Sequence, residues 1–340
     1  MNTDITELTD IEDILDLDNL SLADALSAGV PAFGGKATHF SGLAHIPEVP
    51  NPPAFAVPVS FFHRHMEENG LWTQFDTMVA DPQFTNDRTF QREQLAALRT
   101  AIETAPINQD DLALVLAKLA SDFPNTRMRF RSSTNAEDVN GFTGAGLYTS
   151  KTGDPNDPEK PVDVAMRKVW ASVYRDRAWD ERDYYSIVQR NIGMALLVHR
   201  SFPDEDANGV AITANIFDPA GLEPAFYVNV QEGEASVVLP EPGVTTDQFL
   251  YYYTQPGQPI VYLFHSNQVA EDETVLTISE ANTLGQGLEA VHNFFFPVYG
   301  GVPGQFYGMD VEFKFDSSAG NGSELYIKQA RPYPGWGTAR

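Results

Sequence analysis

The spacing of apolar residues changes along the chain, and this change limits the folds that the chain can adopt. Residues 90–120 carry apolar side chains at helical intervals. Between Val162 and Arg190 apolar side chains recur at every third and fourth position, which predicts one long amphipathic helix. Beyond residue 195 the segments GVAITANIF, PAFYVNVQ and ASVVLP are typical of a sheet. A helical half followed by a strand-rich half favours an α+β fold.

The chain divides into three parts by composition and pattern. Residues 1–20 alternate acids with isoleucine and leucine, and they form either a short amphipathic helix or a frayed tail, of which we favour the tail. A strand bounded by prolines is expected from Ala54 to Val59, where the chain enters a helix. We therefore predict an acidic leader (1–20), N-terminal lobes (21–195) and a strand-rich C-terminal lobe (196–334).

Composition and charge exclude several classes of protein. The chain has 340 residues, of which 42% are hydrophobic, so it can bury a substantial core. Its formal net charge of −25 disfavours binding to nucleic acid and to anionic membranes. The absence of cysteine excludes disulfides, thiolate zinc sites and cysteine nucleophiles. No segment has the length of a membrane span, and we expect a soluble protein of the cytoplasm.

A pair of alternating strands, FYGMDVEFKFD and SELYIKQARP, surrounds the turn SSAGNG. Alternation places Asp310 and Glu312 on one face of the first strand. On the second strand, strict alternation predicts a face shared by four residues, Leu325, Ile327, Gln329 and Arg331. A carboxylate pair suits Mg²⁺, and an arginine suits phosphate. Alternating acids are also common on a solvated face, and this alternative stays open.

The short segment GGKA, residues 34–37, is a glycine turn that ends in a lysine. Such a turn can present the ammonium group of Lys36 to a phosphate. The segment lacks the spacing of a Walker loop, however, and a surface lysine after a turn is the alternative.

The segment RSSTNAEDVNGFTGAGLYTS, from Arg131 to Ser150, is too polar for a core and too rich in glycine for a helix. Gly141, Gly144 and Gly146 allow the backbone to approach a ligand closely. Successive N–H groups in such a loop can form an anion-binding nest, to which Ser150 adds a hydroxyl. A polar loop between domains is the alternative.

Taken in order, these segments resemble one family. GGKA, PPAFAVPVSFF, RFRSSTNAED, the glycine loop, AMRKVWASVYRDRAW and DVEF with YIKQARP are similar to the ATP-binding domain of phosphoenolpyruvate synthase and pyruvate, phosphate dikinase. The resemblance runs from about Val30 to Pro332, and the loop variant GAGLYTS is more similar to that of the glucan water dikinases. It implies an ATP-grasp-like fold in which two or more lobes clamp ATP.

The resemblance also implies roles for residues in the N-terminal half. Lys36 and Arg131 match the lysine and the arginine of the family that contact the ATP phosphates. Gly146 aligns with the glycine of the phosphate loop, close to Gly144, and Ser150 stands where many members have threonine. These positions are therefore expected to bind the nucleotide, and Lys36 and Arg131 to act in catalysis.

In the C-terminal half, Glu312 resembles the acid that binds metal and nucleotide, with Asp310 beside it as a second metal ligand. Gln329 and Arg331 match the closing QxRP motif, in which the arginine reaches the transferred phosphate and acts in catalysis. His199 stands where many relatives have a glutamine that contacts the nucleotide. It is either a different nucleotide contact or a core residue.

The implied reaction passes phosphate from Mg-ATP to a histidine on a separate domain or partner, and then to a small-molecule acceptor. The sequence contains no segment like the family's carrier histidine, and His39 is not in that context. We therefore expect a phosphotransferase that is incomplete as this chain alone and makes no phosphoenolpyruvate by itself. Two alternatives remain. VQEGEASVV replaces the usual GLGE signature, which suits a catalytically silent ATP-binding regulatory module, and related enzymes reuse this domain to phosphorylate small molecules such as antibiotics.

Overall fold

The computed structural model describes residues 1–136, 144, 146–218, 220–238, 240–300, 306–318, 320 and 322–335. The chain forms two compact units. Unit 1 contains Met1–Thr38 and Pro53–Ser201, and unit 2 contains His39–Pro52 and Phe202–Arg340. The acidic leader thus belongs to unit 1, and a short segment near residue 45 belongs to unit 2.

Unit 1 is built on an antiparallel sheet. Its described strands are β1 (Thr9–Asp10), β2 (Ala54–Val57), β3 (Met128–Thr134), β4 (Lys151–Gly153) and β5 (Met194–Arg200). They lie in the order β1-β2-β5-β3-β4. The helices that the structure describes before residue 201 are α1 (Leu22–Ala44), α2 (Val59–Glu68), α3 (Leu71–Ala80), α4 (Pro82–Asn86), α5 (Arg88–Thr104), α6 (Gln109–Asp122), α7 (Val162–Ala171) and α8 (Asp176–Tyr184).

The core of unit 1 lies on one face of this sheet. Phe55, Phe130 and Val198 come from three neighbouring strands and pack into one hydrophobic cluster with the helices. Trp170 of α7 is fully buried in the same cluster. The opposite face of β3 and β5 is therefore the one that can carry polar side chains, as the alternation of a strand requires.

The acidic leader is not a frayed tail, so this prediction is wrong. Thr9 pairs with Ala56 of β2, which makes the leader an edge strand of the sheet. The next residues form a 3₁₀ turn, and Ile11, Ile14 and Leu15 are buried. Burial of these three apolar side chains offsets the entropy lost on ordering the segment.

The single long helix predicted from residue 162 to residue 190 is also wrong. The segment forms α7, a 3₁₀ turn over Ser172–Tyr174, and α8. Arg175 is extended at the break, with φ −67° and ψ 143°. The apolar spacing continues through the break because Val173 and Tyr174 are buried in the same core as α7.

Unit 2 holds a second antiparallel sheet. Its described strands are β6 (Ala207–Ile212), β7 (Phe226–Glu232), β8 (Asp247–Tyr251), β9 (Ile260–Phe264), β10 (Met309–Asp316) and β11 (Glu324–Pro332). They lie in the order β11-β10-β6-β7-β8-β9. Helix α9 (Ile278–Tyr299) begins with a capping box formed by Thr277 and Glu280, and it packs on β10 and β11. The two units together show an α+β fold.

The segment ASVVLP does not form the expected strand in its described residues. Gly233 has φ +61° and turns the chain away directly after β7. The segment then runs past β7, where the Asn229 side chain donates a hydrogen bond to the carbonyl of Val237 at 3.2 Å. In the described parts of both units, no helix is long and apolar enough to cross a bilayer.

Candidate functional site

The GGKA segment packs directly against β3 in unit 1. Gly34 has φ +75°, and a Cβ atom at this position would overlap the backbone carbonyl of Ser133. The Ser133 hydroxyl donates to the carbonyl of Phe33 at 2.7 Å and accepts from the amide of Ala37 at 2.9 Å. The expected glycine turn is therefore a kink within α1, and it fastens the helix to β3.

This contact brings Lys36 to the strand that carries Arg131. The Lys36 ammonium donates to the carbonyl of Ser132 at 3.0 Å, although the two residues are 96 positions apart in the chain. Arg131 is buried on β3, with 8% of its surface exposed. The structure thus brings the GGKA segment and the RSS segment into contact, whereas the sequence showed only their order along the chain.

Arg129 joins this set, although it was not among the site residues predicted from the sequence. It lies two residues before Arg131, so both side chains project from the same face of β3. Burial and then the charge of Arg131 lower the pKa of Arg129. The R-x-R spacing of RFRSS was the signal that could have indicated a pair of guanidinium groups on one face.

His199 belongs to the same face of the sheet. It is the cross-strand partner of Arg129 in the pairing of β3 with β5, and it is buried. Its Nδ1 lies 2.7 Å from the carbonyl of Arg200, which can only accept, so Nδ1 carries the proton. In the neutral imidazole, Nε2 is then an acceptor. Unit 1 therefore places Arg129, Arg131 and His199 on one face, with Lys36 at the edge of β3.

The glycine loop is described only in part. Gly144 and Gly146 have φ +64° and +68°, in the left-handed region that favours glycine. The amide of Leu147 donates to the carbonyl of Gly144 at 3.3 Å, and the Leu147 side chain is buried. Ser150 is half-buried just before β4. Gly141 lies outside the described residues, and the anion nest stays a prediction.

In unit 2, a β-bulge decides which side chains share a face. Glu312 pairs with Gln329, whereas the next residue, Phe313, pairs with Ile327, so Lys328 is the extra residue on β11. The predicted face with Leu325, Ile327, Gln329 and Arg331 is therefore wrong. Paired residues project from the same side of a sheet, so the bulge moves the last two of these onto the face of the acids.

On the polar face of this hairpin, each of the two acids lies beside a cation of β11. Arg331 donates to one carboxylate oxygen of Asp310 through Nε at 2.9 Å and through Nη2 at 2.6 Å. Lys328 lies 3.4 Å from the carboxylate of Glu312. Burial raises the pKa of Asp310; the charge and hydrogen bonds of Arg331 lower it, and the charge of Glu312 raises it. The two carboxylates are thus close enough to interact.

The chain matches a known family of protein domains. The family model for the pyruvate phosphate dikinase AMP/ATP-binding domain matches residues 30–340. The chain belongs to this family.

Among curated relatives of this AMP/ATP-binding domain are two rifampicin phosphotransferases. The protein from Streptomyces sp is 27% identical over 202 residues, which cover 58% of this chain and 22% of that protein. The protein from Streptomyces sviceus is 26% identical over 204 residues, with the same coverage of 58% and 22%. The chain thus spans about a fifth of the length of the curated relatives it matches.

The hairpin of this AMP/ATP-binding domain can supply part of a magnesium site. Within the described ranges, no group of three or more histidine, aspartate or glutamate side chains is arranged to hold a metal ion. Asp310 and Glu312 would offer two carboxylates, and Mg²⁺ commonly takes one or two carboxylates together with phosphates and water. The donor set fits an ion that arrives with a phosphate ligand better than an ion held by the protein alone.

Proposed function

We propose that this AMP/ATP-binding domain binds Mg-ATP and forms the nucleotide-binding part of an ATP-dependent phosphotransferase with ATP-grasp-like lobes. The observation that carries the proposal is the hydrogen bond from Lys36 to the carbonyl of Ser132 at 3.0 Å. It holds a fixed ammonium group next to the residue that follows Arg131. In a chain of net charge −25, cations collected around one strand point to an anionic ligand.

In unit 1, Lys36 and Arg131 would offset the negative charge of the phosphates. The left-handed backbone at Gly144 and Gly146 would allow close approach of the loop to a phosphate, and the Ser150 hydroxyl would donate to it. His199, with its proton on Nδ1, would present Nε2 as an acceptor for an amino group such as that of a purine.

In unit 2, Asp310 and Glu312 would hold Mg²⁺, and Gln329 would contribute an amide to the same face. Arg331 would contact the phosphate that is transferred, with Asp310 fixing its orientation. Bound ATP would supply the phosphoryl group, and the Mg²⁺ that accompanies it would neutralise part of the negative charge of the phosphates. The protein's contribution is then positioning and electrostatic stabilisation.

We propose that the first acceptor is a histidine on a separate domain, in the same chain or in a partner. A histidine acceptor needs no general base from the residues of this site. The names of the two Streptomyces relatives favour a small molecule as the final acceptor, in place of pyruvate.

A catalytically silent regulatory module is the second candidate. It is favoured by the altered sequence VQEGEASVV, because its described residues after β7 form an irregular segment. Both candidates bind ATP, and they differ in turnover. Phosphorylation of a histidine domain from a related dikinase, supplied in trans, would separate them.

Calorimetric titration with ATP and Mg²⁺ tests the proposal. We expect saturable binding, and we expect Lys36→Ala and Arg131→Ala each to weaken it by roughly 1–3 kcal/mol, the range of a lost charge-assisted hydrogen bond. Lys168→Ala and Arg177→Ala remove the same charges at exposed positions of unit 1 and serve as matched controls. Absence of saturable heat and of a thermal shift at millimolar ATP would contradict nucleotide binding. Equal affinities in the four variants would remove Lys36 and Arg131 from the site.

A further inference from the structure

Three side chains, two from the break between α7 and α8 and one from α8 itself, hydrogen-bond to the residues that follow Gly146. The Ser172 hydroxyl accepts from the amide of Thr149 at 3.1 Å. Arg175 donates to the hydroxyl of the same threonine at 3.1 Å. Arg182 donates through Nη1 to the phenol oxygen of Tyr148 at 3.0 Å. The C-terminal end of the glycine loop is thus attached to a second element at consecutive residues.

Arg182 is a fully buried cation whose hydrogen-bond partners are neutral. Its Nε donates to the side-chain oxygen of Gln189 at 2.8 Å, and its Nη2 donates to the carbonyl of Val173 at 2.7 Å. In the part of the chain that the structure describes, no carboxylate is recorded in an ion pair with it. Burying a charged group is costly unless each of its N–H donors has a hydrogen-bond partner. Loss of one of the three partners of Arg182 would therefore destabilise the whole buried network.

Two of these partners are fixed independently of the loop. Val173 is a backbone acceptor in the 3₁₀ turn, and Gln189 is itself held by a hydrogen bond from its Nε2 to the carbonyl of Trp179 at 3.0 Å. These two hydrogen bonds fix the orientation of the guanidinium group, so that its Nη1 is directed at the phenol oxygen of Tyr148. Its Cζ atom also lies 5.9 Å from the centre of the Tyr148 ring. A lysine could not reach three acceptors in a plane from one position.

We propose that Arg182 is a positioning residue for the nucleotide loop. Through Tyr148 it fixes the end of the loop, and so places the Gly146 backbone and the Ser150 hydroxyl for a bound phosphate. This inference rests on the proposed function, because it assigns the loop to ATP. Arg182 touches neither nucleotide nor metal in this role, and Arg175 and Ser172 support the same attachment at Thr149.

Tyr148→Phe is the variant that tests this role. It removes the phenol oxygen, keeps the ring and leaves Arg182 its bonds to Gln189 and Val173. Tyr251→Phe in unit 2 is the matched control, since it too removes a buried phenol hydroxyl, in this case one that donates to the side-chain oxygen of Gln258 at 2.7 Å. We expect Tyr148→Phe to raise the Kd of Mg-ATP about tenfold while its Tm stays within about 2 °C of that of the control.

Hydrogen exchange without nucleotide gives a second readout. The amides of residues 147–149 should exchange faster in Tyr148→Phe than in the wild type, while those of β3 and β5 do not change. Arg182→Lys, where it folds, should give the same loop exchange, and the double variant should add little to either single change. That non-additivity distinguishes a contact made through Arg182 from a direct contact between Tyr148 and the nucleotide.

The possible outcomes separate the two ideas. Unchanged Kd and unchanged loop exchange in Tyr148→Phe overturn the role of Arg182 and leave the proposed function standing. Faster exchange throughout unit 1, with a matching fall in Tm, shows a purely structural residue and also overturns it. A wild-type chain that binds no Mg-ATP overturns the proposed function and the positioning role together, even if the loop exchange responds to the variant.

Discussion

Arg331 directs two donors, Nε and Nη2, at a single oxygen of Asp310, its cross-strand partner on the neighbouring strand. The side chains of Asp310 and Arg331 are 19% and 20% exposed. This geometry makes Asp310 a support for Arg331 as well as a candidate metal ligand. From the sequence, the two residues were expected to have separate roles, and their contact was not predicted.

A double-mutant cycle should measure this contact. Asp310→Asn and Arg331→Gln are expected to show a coupling free energy of about 1–3 kcal/mol in urea unfolding, because the pair is largely removed from solvent. Arg177 and Glu181 on α8 form a more exposed pair at 3.9 Å and provide the comparison, with an expected coupling below about 0.5 kcal/mol. A coupling free energy for Asp310 and Arg331 no larger than that of the exposed pair would contradict the prediction.

Deleting Lys328 should remove the bulge and leave the faces of β11 unchanged. Without the extra residue, Gln329 would directly follow Ile327, so regular alternation would keep Gln329 and Arg331 on the face of Asp310 and Glu312. We therefore expect the deletion variant to unfold cooperatively, with thermal melting as the measurement. Lys328→Ala keeps the bulge and should stay within about 1 kcal/mol of the wild type. Deleting Ala330 is the contrasting change, because it shifts Arg331 by one position towards the core face and should cost most of the stability. Equal stability of the two deletion variants would contradict the assignment of Lys328 as the extra residue.

Gly34 should tolerate substitution much less well than Gly70. Both have positive φ, +75° and +65°, but a Cβ on Gly34 would overlap Ser133 whereas a Cβ on Gly70 meets nothing within 4 Å. Gly70→Ala should cost about 1–2 kcal/mol, from the left-handed backbone alone. Gly34→Ala should cost several kcal/mol more than that and weaken ATP binding through Lys36. Urea unfolding of both variants decides, and equal losses would contradict the close packing of α1 on β3.

The pH dependence of stability should contain a contribution from Asp111, which is 1% exposed and paired with Arg64. Burial raises the pKa of Asp111 from 3.8 to about 6, although the charge of Arg64 opposes this shift. A raised pKa means that the folded state binds the proton more tightly. The contribution is therefore complete below about pH 4, the pKa of the unfolded chain, and is lost as the pH rises through about 6.

Unfolding free energies of the wild type and of Asp111→Asn should be compared between pH 4 and pH 7. The stability of the wild type relative to the variant should fall across this interval, and one pKa unit corresponds to about 1.4 kcal/mol. Asp110→Asn removes a neighbouring charge at an exposed position and controls for the loss of charge at the start of α6. A constant difference between wild type and Asp111→Asn would contradict the prediction.

Glu312→Gln should separate catalysis from binding. The change keeps the shape of the side chain and removes the charge of a proposed Mg²⁺ ligand, so phosphate transfer should fall more than nucleotide affinity does. Labelled ATP with a histidine domain from a related dikinase in trans measures the first quantity, and calorimetry measures the second. Equal transfer by wild type and variant would remove Glu312 from the chemistry, and no transfer by the wild type would favour the silent regulatory module.

Local patterns in the sequence were sufficient for the elements whose spacing is regular. The period of apolar residues predicted helices α5 and α6, the paired strands β10 and β11, and an α+β fold. The same pattern joined α7 and α8 into one helix, because residues in the 3₁₀ turn between them are buried against the same core. The ordered motifs predicted the family, which the match over residues 30–340 confirms. These properties depend on residue type and on spacing along the chain.

Tertiary structure alone decided how the candidate residues are grouped. Gly34 meets Ser133 across about a hundred positions of sequence, and the register of β3 against β5 sets His199 opposite Arg129. The bulge at Lys328 brings Gln329 and Arg331 to the face of the two acids, against the alternation of the strand. The local sequence does not specify these relationships. Strand register and helix docking depend on the free energy of packing the whole unit, which cannot be inferred from any short segment.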